Sequence, residues 1–132
     1  MKATDLKIND IVTYHHDVVT ILGVSESFAK IQFQDEDTLT VALEEIEPCD
    51  IFEKYLKTNH FYETKENYYV KSIAINDLDD NRRIALDLNS DYTNIYLESI
   101  TGFGNTSIFI TKIKYMHELQ HIMAIFGKEI SL

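Results

Sequence analysis

The sequence predicts an α+β fold of short antiparallel strands and two helices, and three patterns carry this prediction. Short runs of β-branched and aromatic residues alternate with polar turn segments from residue 7 to residue 48. Helical patterns occupy residues 50–58 and 111–126, and four more strand patterns lie between them. We therefore expect a strand lobe, residues 1–49, and an α+β lobe, residues 50–132, that pack as one compact unit.

The first lobe is predicted to be a curled antiparallel meander. Its strand patterns cover residues 11–14, 18–22, 28–33 and 38–43. The short polar segments that separate these strands suit tight turns, and they are residues 15–17, 25–27 and 35–37. Polar and apolar side chains alternate in the third strand, which indicates that one face of the sheet is buried.

Both ends of the first lobe contain segments found in a known kind of small barrel. The segment Asn9-Asp10-Ile11-Val12 is similar to the G-D-x-V start of SH3-like barrels, and residues 43–48 resemble the one-turn helix at their end. The resemblance implies a small SH3-like β-barrel for residues 1–49. Because such barrels bind peptides, nucleic acids or no ligand at all, the resemblance does not assign a function.

The second lobe is predicted to run helix, antiparallel sheet, packing helix. Asp50 is the expected N-cap of the first helix, because Glu53 three residues later completes a capping arrangement. The strand patterns cover residues 67–75, 83–88, 93–100 and 107–110, with turns at 77–81, 89–91 and 102–105. The last helix is expected to begin after Thr111 and to end at Phe126, since Gly127 suits a left-handed cap.

Charge and composition argue against several classes of function. The chain has 22 acidic and 12 basic residues, and its net charge of −10 opposes binding to nucleic acid or to anionic membranes. No apolar run has the length of a membrane span or of a signal peptide, so we expect a cytoplasmic protein. Cys49 is the only cysteine, and its acidic neighbours favour a packed thiol over a reactive one.

The only motif associated with catalysis is His117-Glu118-Leu119-Gln120-His121, in the last predicted helix. It matches the H-E-x-x-H pattern of zinc metalloproteases. Residues four apart share a helix face, so His117 and His121 could bind one zinc ion while Glu118 acts as the base on a metal-bound water. The motif raises the hypothesis of a zinc-dependent hydrolase.

Other features of the helix argue against this hypothesis. Ala124 stands where the longer metalloprotease pattern has a glycine. The candidates for a third ligand, none of which has a supporting sequence spacing, are Glu129, His60, Glu98 and the His15-His16 pair. The apolar residues of the helix share one arc, which we expect to pack on the sheet, so both histidines should occupy an exposed face or a cleft. We therefore predict a packing helix with no catalytic residue, metal ligand or cofactor.

Aromatic residues are concentrated just after the first predicted helix. Aromatic side chains with polar tips are favoured where one side is packed and the other contacts a partner. We therefore predict a contact surface formed by Phe61, Tyr62, Tyr68 and Tyr69. The alternative is the ordinary packing of a hairpin.

Two terminal segments carry a resemblance to a group of known proteins. Residues 1–10 read MKATDLKIND, and residues 113–120 read IKYMHELQ, followed by FGKEI at 126–130. They resemble the M-K-A-x-E-L-R-I-G-N start and the K-Y-V-H-x-L-Q-N…T-G-x-E-L ending of small uncharacterised proteins from phages and mobile elements of gut bacteria. The resemblance implies an origin in such an element, and in that group another residue often stands where His121 stands here.

Three functions follow as hypotheses. The first is a non-enzymatic protein–protein interaction protein of phage or mobile-element origin, with an unknown protein partner. The second is a phage-type inhibitor that binds a host defence or DNA-binding protein through its acidic surface, and it requires the acidic residues to cluster. The third is the zinc-dependent hydrolase.

Overall fold

A computed structural model describes residues 1–73, 81–101 and 104–132 of the chain. It contains two antiparallel sheets and two α-helices among these residues, which confirms the predicted α+β class. The chain divides into two compact units, one combining Met1–Ile51 with Tyr115–Leu132 and the other comprising Phe52–Lys114. No helix among the described residues has the length and apolar character needed to cross a bilayer.

The first unit contains a five-stranded antiparallel sheet in the order β4-β3-β2-β1-β5. Strands β1 to β5 are Ile11–Tyr14, Asp17–Val24, Phe28–Gln32, Thr38–Ala42 and Ile46–Pro48. Short 3-10 helices, Ala3–Asp5 and Leu43–Glu45, precede β1 and β5. The four predicted strands are therefore present, and a fifth short strand pairs with β1.

Tight turns and alternating burial explain why this segment forms a sheet. His15 and His16 connect β1 to β2 as a two-residue turn, and both have positive φ, 47° and 71°. Turns of this kind match the right-handed twist of the flanking strands. The inward side chains form the core of the unit, and they include Val12, Val19, Ile21, Ala29, Ile31, Val41 and Ile46.

The second unit contains α1 and a second five-stranded antiparallel sheet, in the order β10-β9-β8-β7-β6. Helix α1 is Glu53–Thr58, and strands β6 to β10 are Tyr62–Lys65, Tyr68–Ser72, Arg82–Leu88, Thr93–Thr101 and Gly104–Ile113. Strand β6 was not predicted, because its residues are mostly polar and all exposed, so no hydrophobic alternation marks it. Buried side chains from the inner strands include Tyr69, Val70, Ile84, Ala85, Leu86 and Ile95.

The remaining predicted turns and strand ends have different outcomes. The turn predicted at 89–91 is present, with the Asn89 N–H donating to the Tyr92 carbonyl at 2.9 Å. The turns predicted at 77–81 and 102–105, and the end of the strand predicted at 67–75, fall wholly or partly outside the described residues.

The start of the first helix differs from the prediction. Helix α1 begins at Glu53, with Phe52 rather than Asp50 as its N-cap. Asp50 instead forms an isolated antiparallel bridge with Tyr115. The capping pattern therefore predicted the wrong N-cap, because the backbone of Asp50 pairs with that of Tyr115 and does not begin the helix.

Helix α2, Met116–Ile125, also begins later than predicted. Strand β10 continues through Thr111 to Ile113, which lies opposite Thr93 of β9. The β-branched residues of this segment favour the strand, and the cross-strand partner decides between strand and helix. The helix ends at Ile125 with Phe126 as its C-cap, one residue before the predicted end, and Gly127 has the predicted left-handed conformation, with φ of 72° and its N–H donating to the Ala124 carbonyl at 3.0 Å.

Helix α2 belongs to the first unit, where it packs against β1. The sequence assigned this helix to the lobe of residues 50–132. Its buried apolar residues are Met116, Leu119 and Met123, so the packing stripe is narrower than the predicted arc. A helix stripe indicates that one face is buried but does not indicate which sheet covers it.

Candidate functional site

The His-Glu-x-x-His motif lies at the start of α2, with its two histidine rings close together. The ring centroids of His117 and His121 are 5.7 Å apart in an edge-to-face arrangement. His117 is only 8% exposed, and its ring stacks on Tyr115 with 6.0 Å between centroids. Of the two positions predicted for the histidines, an exposed face or a cleft, His117 takes the second, at the wall of a groove of about 520 Å³ that Met1, Thr4 and Asp5 also line.

His121 forms an ion pair or hydrogen bond with a buried carboxylate. Its Nε2 lies 2.9 Å and 3.0 Å from the two carboxylate oxygens of Asp10, which is 2% exposed. Because a carboxylate can only accept here, Nε2 carries the hydrogen. The Lys7 N–H donates to the same carboxylate at 2.8 Å. Asp10 therefore joins the turn before β1 to helix α2.

Glu118 stabilises the start of the helix. Its Oε1 accepts the Tyr115 N–H at 3.1 Å, an N–H that lies just before the first helical residue. A glutamate at the third helical position commonly makes this contact with the N-cap backbone. The contact gives the glutamate at this position a role in capping the helix.

The Gln120 side chain makes three hydrogen bonds. Its Oε1 accepts the Ile11 N–H at 2.7 Å, and its Nε2 donates to the Asn9 carbonyl at 2.8 Å and to the Ile130 carbonyl at 2.9 Å. The side chain is 8% exposed. Gln120 therefore connects the start of β1, the preceding turn and the C-terminal segment.

The described residues do not include a group of three or more His, Cys, Asp or Glu side chains placed to hold a metal ion. Nε2 of His121, the nitrogen that a zinc ligand in this motif would present, is bound to Asp10. Glu98, one of the candidate third ligands, is engaged by Arg83 at 2.9 Å and by the Tyr68 hydroxyl at 3.0 Å. The contacts of His121 and Glu98 thus serve the packing of each unit.

Burial of the His117 ring favours its neutral form. Its Nδ1 is buried and has no hydrogen-bond partner within the described part of the chain. Burial lowers the pKa of His117 below its ordinary value of 6.5, and the carboxylates of Asp10 and Glu118 oppose this shift without cancelling it. A buried histidine of this kind makes stability depend on pH.

We expect the protein to lose stability as the pH falls below about 6.5. The unfolded chain binds a proton at His117 near the ordinary value of 6.5, whereas the folded chain stays neutral to lower pH. The unfolded state therefore binds more protons in this window, so stability rises with pH through it. Urea unfolding at about pH 7.5 and about pH 5 measures the loss, which should be smaller in His117→Leu than in the parent protein.

The control for this experiment is His60→Asn, which changes an exposed histidine at a left-handed position that asparagine tolerates. It should leave the loss of stability between the two pH values unchanged. An equal loss in His117→Leu and in the parent protein would show that His117 does not cause the pH dependence.

The predicted aromatic contact surface is mostly internal. Phe61 and Tyr69 are 2% and 0% exposed, so they are core residues rather than contacts for a partner. Tyr68 is partly buried, and burial together with its hydrogen bond to Glu98 raises its pKa to about 12. Only Tyr62 is well exposed, at 55%. The alternative of hairpin packing therefore describes Phe61 and Tyr69 better.

Cys49 is a packed thiol, as its sequence context indicated. It is fully buried, and its Sγ–H donates to the Asp50 carbonyl at 3.4 Å. Burial, and secondarily the charge of Asp50, raises the pKa of the thiol to about 11. A thiol with this pKa is a poor nucleophile at neutral pH.

Strand β10 presents an apolar surface that the sequence did not single out. Ile108, Phe109 and Ile110 are 62%, 54% and 38% exposed. Among the described residues β10 pairs only with β9 and forms one edge of its sheet. We call the outer side of Gly104–Ile113, with these three side chains, the β10 edge. Three consecutive apolar residues in a strand put apolar side chains on both faces of the sheet. This pattern in the sequence could have revealed the apolar surface.

Charge is distributed unevenly between the two units. The first unit contains 13 acidic and four basic residues, a net charge of −9. The second contains nine acidic and eight basic residues, a net charge of −1. Nearly all of the net negative charge of the chain therefore belongs to the first unit.

Comparison with protein-family models, with curated proteins and with solved structures found no match to this chain.

Proposed function

We propose that this chain is a non-enzymatic protein–protein interaction protein that binds an extended segment of its partner along the β10 edge. The observation that carries this proposal is the exposure of Ile108, Phe109 and Ile110 on an edge strand. Edge strands are usually protected from other chains by charges, prolines, β-bulges or covering elements. In strand β10 the one charged residue, Lys112, and the register shift both lie after Phe109, so residues 104–109 contain no charge, no proline and no bulge. An edge of this composition is suited to strand addition.

The geometry of β10 indicates where a partner strand would pair. From Gly104 to Phe109 the strand pairs regularly with β9, and its register shifts between Phe109 and Thr111. A bulge of this kind bends a strand and interrupts regular pairing, so we place the partner mainly along residues 104–109. Phe109 packs edge-to-face on Tyr96, with 5.7 Å between ring centroids, and supplies an aromatic contact beside the edge.

Two finer assignments accompany this proposal. The strand order β4-β3-β2-β1-β5, with a 3-10 helix before β5, supports an SH3-like barrel for the first unit. The resemblance of the two chain ends supports an origin in a phage or mobile element. Binding at the β10 edge depends on neither assignment.

A displayed library of random 12-residue peptides, selected against the purified protein, tests this function without a known partner. We expect enrichment of peptides with alternating apolar residues, and at least about a tenfold loss of their affinity for an Ile108→Lys variant. The lysine replaces an apolar contact and places a charge on the edge, which is the device that protects natural edge strands.

The matched control is Ile125→Lys, which changes an isoleucine of α2 that is 79% exposed. This variant should bind the selected peptides as the parent does. A library that yields no binding peptides, or peptides that bind Ile108→Lys as tightly as the parent, would contradict binding at the β10 edge.

A second candidate function is a phage-type inhibitor that binds a basic host defence or DNA-binding protein. The observation that favours it is the net charge of −9 in the first unit. Binding through exposed acidic residues weakens steeply as salt screens the charges, whereas apolar strand pairing does not. The salt dependence of affinity for any protein ligand therefore separates the two functions.

A further inference from the structure

We infer that a groove of the first unit binds a basic segment of a partner protein, with an arginine side chain packed on Phe28 and its charge facing three carboxylates. The groove has a volume of about 820 Å³, and its walls are the 3-10 helix Ala3–Asp5, the turn between β2 and β3, and the 3-10 helix Leu43–Glu45. This inference rests on the second candidate function, to which it gives a site, and it is independent of the β10 edge.

An exposed aromatic ring lines the groove. Phe28 is 54% exposed, although phenylalanine is among the residues most often buried. It starts β3 and lies opposite Ala42 of β4 in the sheet. The other apolar side chains of the lining are those of Met1, Ala3, Ala42 and Leu43. A lining of this kind can cover the aliphatic stem of a long basic side chain while the charged end stays in water.

Acidic side chains reach the groove from three separate elements. Asp5 belongs to the first 3-10 helix, Glu26 to the turn between β2 and β3, and Glu44 to the second 3-10 helix, and all three are exposed. Within the described part of the chain, none of these carboxylates forms an ion pair. Lys2 is the one basic side chain of the lining. Since the first unit has a net charge of −9, its field also attracts cations rather than anions.

Hydrogen bonds hold the three walls of the groove together. The Met1 ammonium donates to the Leu43 and Ile46 carbonyls at 3.1 Å and 3.2 Å, which joins the first 3-10 helix to the second and engages the charge of the ammonium. The Leu43 N–H donates to the Ser27 carbonyl at 3.1 Å, which joins the second helix to the turn. A groove whose walls are already fixed loses less conformational entropy when a ligand binds.

Arginine fits this arrangement better than other side chains do. Its planar guanidinium group stacks on aromatic rings and binds carboxylates through pairs of N–H groups. Phe28 supplies the ring, and Asp5, Glu26 and Glu44 supply the carboxylates. An acidic partner segment would be repelled, and an uncharged one would leave the carboxylates without a partner.

Fluorescence anisotropy with the full chain and a labelled seven-residue peptide that alternates glycine and arginine tests the groove. We expect binding at about 50 mM salt that weakens as the salt concentration rises. The same peptide with citrulline in place of arginine keeps the shape of the side chain but carries no charge. It should bind at least about tenfold more weakly.

Two variants test the contribution of the aromatic ring. Phe28→Ala should weaken binding of the arginine peptide by about threefold or more, because it removes the surface on which the guanidinium stacks. Phe109→Ala is the matched control, since Phe109 is also 54% exposed but belongs to the second unit. This control should bind the arginine peptide as the parent does.

Two double variants separate the groove from the general charge of the unit. Glu26→Gln/Glu44→Gln should weaken binding by about tenfold or more. Glu47→Gln/Glu129→Gln removes the same charge from two exposed carboxylates of the first unit that do not line this groove. The control pair should change the affinity by no more than about twofold.

The outcomes distinguish this inference from the function on which it rests. If both double variants weaken binding equally, or if Phe28→Ala binds as the parent does, the peptide follows the general field of the first unit. The groove is then overturned, and the second candidate function stands. If the parent does not bind the arginine peptide, or binds the citrulline peptide equally well, both are contradicted.

Discussion

Replacing Gln120 by alanine is expected to lower the free energy of unfolding by about 3–5 kcal/mol. The side chain is buried and bonds to the backbone at Asn9, Ile11 and Ile130. Alanine leaves the buried Ile11 N–H and the buried Ile130 carbonyl without a partner, each at a cost of about 1–3 kcal/mol, and also removes the partly buried bond to the Asn9 carbonyl. Urea unfolding measures the loss, and amide hydrogen exchange at Ile11 reports whether the start of β1 has opened locally.

Two further variants make the result specific to Gln120. Gln34→Ala changes an exposed glutamine in a turn and should alter the free energy of unfolding by no more than about 0.5 kcal/mol. Gln120→Glu keeps an acceptor for the Ile11 N–H but cannot donate to the two carbonyls when ionised. It should therefore also destabilise the protein. A loss below about 1 kcal/mol in Gln120→Ala, with an unchanged denaturant slope, would refute the connecting role assigned to this side chain.

Sequence patterns predicted the sheet of the first unit well because its side chains alternate about a single buried face. The strands of residues 11–43 combine this alternation with turn residues such as His15 and His16, so local preference and tertiary packing agree. In strand β6 local sequence preference and tertiary packing do not agree. Its side chains are all exposed, and only pairing with β7 defines the strand. At Thr111 the local sequence favoured the start of a helix, but the residue lies in a strand because it pairs with β9.

The candidate site was predicted less well because its decisive contacts join distant parts of the chain. Asp10 and His121 are 111 positions apart, as are Asn9 and Gln120, and no spacing rule relates such residues. The motif pointed to His117, Glu118 and His121 because their spacing matches a zinc-binding pattern. In the structure Glu118 caps the helix and His121 contacts Asp10, while Gln120, at a variable position of the pattern, makes three hydrogen bonds to distant backbone groups.

Replacing His121 by alanine is expected to lower the free energy of unfolding by about 3–5 kcal/mol. Asp10 is 2% exposed, and its carboxylate is held by the His121 ring and by the Lys7 N–H. Removing the ring leaves a buried carboxylate with one partner fewer, and an uncompensated buried charge is more costly than the loss of the contact itself. Urea unfolding near neutral pH measures the effect.

The double variant His121→Ala/Asp10→Asn tests whether the buried charge is the cause. Asparagine keeps an acceptor for the Lys7 N–H but carries no charge, so the double variant should be more stable than His121→Ala alone. Asp35→Ala is the matched control, because this exposed aspartate accepts one backbone N–H, that of Asp37 at 3.1 Å, and should cost about 1 kcal/mol or less. If Asp10→Asn makes His121→Ala less stable still, the cost arises from lost packing of the imidazole, and Asp10 acts only as the acceptor that orients the turn before β1.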